Sequence, residues 1–324
     1  LSRGLGDVYK RQLMDWANVI VRFALYLDLM LIFGVPLFAL YSLNSLERGS
    51  ATAKQFVAKS KVLAVIAILL SIVGLINSTR MMSGAESYFD IAPNAFFMVL
   101  FEMSFGTALL IRLAALALFV TIATSILTKR PSSQLVLMSA LGAIALATLA
   151  WGGHGVMNED VKGFVHLGAD IVHLIAAGAW IGALASFMLL LRWAPKGGRA
   201  EVQQLGRMLN GFAIMGSVVV ATLLVTGTIN YLMIAGLNFG RVFTTTYGIL
   251  LAIKLVFFLA MLALAAANRY RLTPMLEASI ASDNHGPAIA ALKSSLVLES
   301  GCALLILALI CLLYTSDAAD ERSS

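Results

Sequence analysis

Five side chains within residues 151–182 (WGGHGVMNEDVKGFVHLGADIVHLIAAGAWIG) carry the donor chemistry of a metal site: His154, Met157, His166, Asp170 and His173. Imidazole suits copper and zinc, and thioether sulfur selects Cu(I). His166, Asp170 and His173 fall at i, i+4 and i+7, which is one face of an α-helix. At 1.5 Å rise per residue, His173 lies about 10 Å beyond His166 along that face. The segment from Phe164 to Leu191 is apolar and long enough to cross a bilayer, where ionisable groups are costly and mark function by default. A descending series of ligands is what an ion handed inward requires. The same groups can instead hydrogen-bond neighbouring helices, the commoner role of a lone histidine. Three of the chain's four histidines, grouped with an aspartate on the same face, favour metal or cofactor binding. Bis-histidine haem b ligation from two helices, His154 with His166 or His173, is a second chemistry open to the same residues.

The elements that position these residues follow from composition. Hydrophobic residues make up 60% of the chain and charged residues 12%, with a mean hydropathy of +0.90. A soluble domain of this length cannot hide that much apolar surface, so the bilayer is the expected partner. Eight apolar spans are predicted, approximately 15–43, 57–80, 96–127, 134–151, 164–191, 210–235, 245–267 and 290–310. The third is long, and its opening PNAFFMVLFEMSFG is expected to lie along the interface before the span proper begins near Phe105. Lys and Arg concentrate in alternate loops: Arg48, Lys54, Lys59 and Lys61; Lys129 and Arg130; Arg192, Lys196, Arg199 and Arg207; Arg269, Arg271 and Lys293. The opposite loops hold only Arg80, Lys162 and Arg241. The positive-inside rule then places both termini and the His154 loop outside. The expected fold is all-α: a polytopic membrane bundle of about eight transmembrane helices, both termini outside.

The pI near 9.4 is read as cytoplasmic loop charge rather than a nucleic-acid surface. Two cysteines give neither a disulfide framework nor a zinc pattern. Walker A, GxGxxG and HExxH motifs are missing, which argues against an ATP-driven pump or a soluble-type enzyme. The pattern leaves the oligomeric state open.

Further ionisable residues lie inside the spans. Arg22, Arg112 and Lys254 fall in the same outer half as His166, Asp170 and His173, while Asp28 and Glu299 lie near mid-depth. Their shared depth predicts one outward-facing polar cavity, with Arg22, Arg112, Lys254 and Glu299 setting its electrostatics. Lys254–Glu299 or Arg112–carboxylate pairing would reduce the cost of burial. Most methionines read as apolar packing; Met81, Met82 and Met157, at outer span ends, are better candidates for soft-metal contacts. NRYRLTP (268–274) reads as a helix C-terminus rich in cations and stopped by proline. Ala176, Ala177, Gly178 and Gly182, and likewise Gly211 and Gly216, fit close helix packing. His285 is expected to be solvated in a cytoplasmic loop.

The ends are set apart. DVYKRQ (7–12) and the start of CLLYTSDAADE (311–321) are encodable by one nucleotide string read in opposite orientations. Residues 1–12 and 311–324 are therefore expected to be adaptor-derived, flanking a transmembrane domain over 13–310.

With these residues in view, the chain resembles the copper resistance protein D (CopD) family of bacterial inner-membrane proteins. The resemblance rests on HLGADIVHLIAAGAWIGAL after WGGHG, on SFGTALLIRLAALAL, on YGILLAIKLVFFLAMLALAAANRYRLTP and on SLVLES. It covers nearly the whole chain between the ends and is best over about 205–310. Asn268, Arg269, Leu272 and Pro274, combined with Glu299, are its most specific part. The resemblance implies copper resistance and homeostasis, copper-ion uptake across the inner membrane, and a periplasmic CopC-like copper-binding partner. A non-transporting scaffold that delivers copper is the alternative role.

Overall fold

The computed structural model describes residues 2–85, 87–125, 130–152, 161–193, 199–235, 246–282 and 284–320. Its helices are α1 (Ser2–Ser42), α2 (Ala51–Ser83), α3 (Pro93–Phe101), α4 (Ser104–Thr124), α5 (Pro131–Ala147), α6 (Val161–Trp193), α7 (Arg199–Ala235), α8 (Thr246–Ala267), α9 (Thr273–Ser282) and α10 (Gly286–Asp320). Eight stretches of these helices are long and apolar enough to cross a membrane. The molecule is a polytopic helical bundle. The segment ahead of the third span is a separate helix, α3, and the span itself starts at Ser104. Phe97 and Phe101 on α3 are exposed.

α1 is the hub. It packs against α2, α5, α6 and α10, and 67% of its apolar window is buried, against 6% for the span that begins at Gly248. Glycine makes this crowding possible. A methyl group on Gly34 would overlap the Gly178 carbonyl oxygen and the Gly182 Cα, and one on Gly142 would press on the Phe33 backbone. Gly178-Ala-Trp-Ile-Gly182 is thus a GxxxG face on which α1 lies backbone to backbone. The second small-residue pair behaves differently from expectation: Gly211 faces open space, and Gly216 faces only Phe212 of its own helix. Toward the end of the bundle that carries the α1–α2 turn, edge-on rings link four helices: Phe38 to Phe56 (6.3 Å), Phe38 to Phe187 (4.9 Å) and Phe187 to Phe212 (5.6 Å).

The α1–α2 turn is clasped to α7. The Asn44 side chain accepts from the Leu46 and Glu47 backbone N–H groups, and Glu47 accepts from Gln204 and Arg207. Partial burial works against the Glu47 charge, but the Asn44 N–H, Arg207 and Gln204 outweigh it and hold this carboxyl below its usual range.

NRYRLTP does not end its helix. Asn268–Leu272 is a π-helical turn that joins α8 to α9 without a break. The Thr273 hydroxyl and backbone N–H both bond the Asn268 carbonyl. Pro274 has no N–H, and its ring crowds the carbonyl four residues back. Widening the turn accommodates the proline inside a continuing helix, where a stop was expected. His285 also departs from expectation: it is half-buried, and its Nδ1 lies 3.1 Å from the Ser279 hydroxyl.

Candidate functional site

The stripe on α6 is real and longer than its histidines. His166, His173 and Trp180 repeat at seven-residue intervals, with Asp170 between the first two. His166 is buried, and its Nε2 lies 3.6 Å from the Asp170 carboxylate. The other Asp170 oxygen accepts from Asn230 of α7 at 2.6 Å. One turn deeper, His173 Nδ1 lies 2.8 Å from the Thr226 hydroxyl. That hydroxyl has one proton and gives it to the Thr222 carbonyl at 2.7 Å. The network therefore assigns the ring proton to His173 Nδ1, which leaves Nε2 with its lone pair. Gly227 keeps the space beside this ring open, since a methyl group there would sit 3.6 Å from His173 Cε1.

Charges from other helices surround the stripe. Lys254 of α8 interacts electrostatically with Asp170 and His173. Arg22, Arg112 and Asp170 all act on Tyr26, which places α1, α4 and α6 around one polar locus. Buried Arg112 donates to the Thr148 hydroxyl at 2.8 Å, so its hydrogen-bond acceptor is neutral, not the carboxylate expected from sequence. The 3-10 turn Thr148–Gly152 brings that hydroxyl between α4 and α6.

Glu299 does not share this locus. Its Oε1 accepts from Trp180 Nε1 at 2.7 Å, and its Oε2 accepts from Asn268 Nδ2 at 2.9 Å. A Lys254–Glu299 pair is therefore not formed; Asn268 lies about 21 Å along the helix from Lys254. The π turn is what presents Asn268 to α10. Arg269 of the same turn points elsewhere, bonding Ser217 at 3.1 Å and stacking on Tyr270. Leu272 packs against the core, and Pro274 sets the turn. Asp28 is also buried, with neither oxygen hydrogen-bonded.

His154 and Met157 lie outside the described residues. Among the described residues, no group of three or more His, Cys, Asp or Glu side chains is gathered to hold a metal ion. The geometry of one helix explains this: His173 is about 10 Å from His166 along the axis, too far to share an ion. His166 and His173 therefore do not belong to one chelate. A haem bridging two helices would rest on His154, because His285 sits at the opposite end of the bundle. Met81 and Met82 are exposed at the end of α2, and Met81 sulfur accepts from Asn18 at 3.0 Å. Sequence reading missed Tyr26, Thr148, Thr226, Asn230 and Trp180. The aromatic and hydroxyl residues among them look like ordinary apolar-helix composition until their partners are known.

Fold and site together define a multi-pass α-helical membrane protein with an ionisable stripe running into its core. The chain belongs to the copper resistance protein D family. "Copper resistance protein D-like, N-terminal domain" matches residues 13–164, and "Copper resistance protein D" matches residues 206–313. The chain is 43% identical over 302 residues to "Copper resistance protein D" of Pseudomonas syringae pv. tomato, covering 93% of this chain and 96% of that protein. It is 30% identical over 259 residues to "Inner membrane protein YebZ" of Escherichia coli (strain K12), covering 80% and 85%. No solved structure matches the chain.

Proposed function

We propose that this protein carries copper inward across the bacterial inner membrane and so contributes to copper resistance and homeostasis. The observation that carries the reading is the fixed imidazole of His173, one heptad below the His166–Asp170 pair on the same helix face. Metal-ligating histidines characteristically donate their second ring N–H to a partner, which fixes the tautomer. Thr226 is that partner here. His154, Met157 and His166 receive the ion at the exterior mouth set by the loop charges; Asp170 and His173 pass it deeper. Asp170, held in place by Asn230, tempers the nearby Lys254 charge. Membership of the family and the names of both relatives support copper handling and an inner-membrane location. Ion transfer between stations needs no covalent chemistry, so the protein is read as a carrier rather than an enzyme. A periplasmic CopC-like protein is the proposed donor.

The test is copper uptake into proteoliposomes. His173→Ala and His166→Ala are each expected to reduce the uptake rate at least tenfold, the usual scale for losing a ligand or its support. Unchanged uptake in both variants overturns the ligand assignment. Copper bound but never moved by the unaltered protein favours the delivery scaffold, and a Soret band lost in either variant favours haem.

A further inference from the structure

Among the described residues, two buried carboxyl groups, Asp28 and Glu299, lie deeper than the proposed copper stations, and Glu299 is the one held in a built site. It is 2% exposed, and each of its oxygens accepts one N–H, from Trp180 and from Asn268. Both donors are neutral, and Glu299 forms no ion pair among the described residues. Asn268 is 8% exposed, and its own Oδ1 is buried without a hydrogen-bond partner. It sits on the π-helical turn, and such bulges occur frequently at functional sites. An orphan amide oxygen beside a buried carboxyl is a costly arrangement unless something is bound there at another stage of the cycle.

The chemistry of the donors selects what binds. Trp180, Glu299 and Asn268 offer no sulfur and no imidazole, so the site does not suit copper. A hard metal cation would need several further oxygens. A proton needs one. An ionised Glu299 accepts from the Asn268 NH2 group. A protonated Glu299 has an O–H to donate, and turning the Asn268 amide about its last bond presents Oδ1 to receive it. One side chain thus serves both protonation states.

We propose that Glu299 is a reversible proton-binding site whose two states are accommodated by Asn268. One proton adds to a Glu299 oxygen and later leaves it, and no other bond changes. The groups facing this site from the packed helices leave it electrostatically isolated. His173 on α6 is about 10 Å outward and Lys254 on α8 about 21 Å away. Arg269 and Arg271 of the π turn are exposed, with Arg269 engaged by Ser217. Glu277 on α9 is bonded by Asn210, and Lys293 on α10 is about 9 Å nearer the cytoplasm. On α1, Asp28 lies about 9 Å outward of the Gly34 crossing, and Tyr41 lies toward the cytoplasm. That this proton is the ion moved in exchange for copper rests on the transport reading above.

The test is infrared difference spectroscopy of the purified full chain in lipid, without copper, titrated from about pH 9 to about pH 5. A carboxylic-acid carbonyl band is expected to grow in on acidification. Glu299→Gln should remove one component of it, leaving any contribution from Asp28. Asn268→Leu, which removes the O–H acceptor, should shift its frequency. Glu299→Asp should retain a titrating band, which guards against loss of fold in the Gln variant. Identical carbonyl bands in the unaltered protein and in Glu299→Gln, with no Glu299-dependent component, overturn the proposal. Because the readout uses no copper, loss of the transport reading leaves this result standing, and the two failures are separable.

Discussion

Replacing Gly34 with alanine tests the centre of the bundle. The added methyl would overlap the Gly178 carbonyl oxygen and the Gly182 Cα. All of these atoms are backbone, so no rotamer change relieves the overlap, and α1 and α6 must separate. Overpacking of this kind costs about 1–3 kcal/mol, and the upper end is expected because the obstructing atoms cannot swing away. Gly211 supplies the control: a methyl there meets nothing within 4 Å. Gly211→Ala should be neutral or stabilising by up to about 1 kcal/mol through helix propensity. Gly182→Ala obstructs the same contact from the other side. The double variant Gly34→Ala/Gly182→Ala should therefore cost less than the sum of the singles, since helices already parted lose little more. Unfolding in mild detergent, followed by reactivity of the half-buried Cys302 thiol, gives all four stabilities. If Gly34→Ala matches Gly211→Ala within about 0.5 kcal/mol, the backbone-to-backbone crossing is wrong.

Two further outcomes follow from named contacts. Thr226→Val keeps the shape beside His173 but removes the acceptor for Nδ1–H; copper binding, measured by isothermal titration, should weaken about 10-fold or more, with stability little changed. Glu47 has a folded-state pKa below its ordinary value, so its contribution is present above that ordinary value and is lost as pH falls through the folded one. The melting temperature should drop below about pH 4.5 less steeply in Glu47→Gln than in the unaltered protein. Identical profiles would show that the clasp does not contribute.

The eight spans were legible because twenty-residue apolar runs have few alternatives in a chain this hydrophobic. The α6 stripe was legible because helical spacing fixes which residues share a face. Partners across helices were not. Glu299 could be seen as a buried carboxylate, yet nothing in spacing distinguishes Trp180 and Asn268 from Lys254 as its neighbours. Gly178 and Gly211 look alike along the chain, and only the approach of α1 makes one of them indispensable. The NRYRLTP turn misled for a local reason. Proline usually ends a helix, but a π turn absorbs the missing bond where surrounding helices hold the chain on both sides. Thr226 and Asn230 carry no signal of their own, because hydroxyl and amide groups in membrane helices most often bond their own backbone or a neighbouring helix.

The position of α1 bears on how the molecule is made. It is synthesised before α2, α5, α6 and α10, which later close around it. Until α6 emerges, Gly34 has no GxxxG face to rest on, and Arg22 and Asp28 meet lipid or the insertion machinery. The hub helix must therefore be held while the rest of the chain is translated.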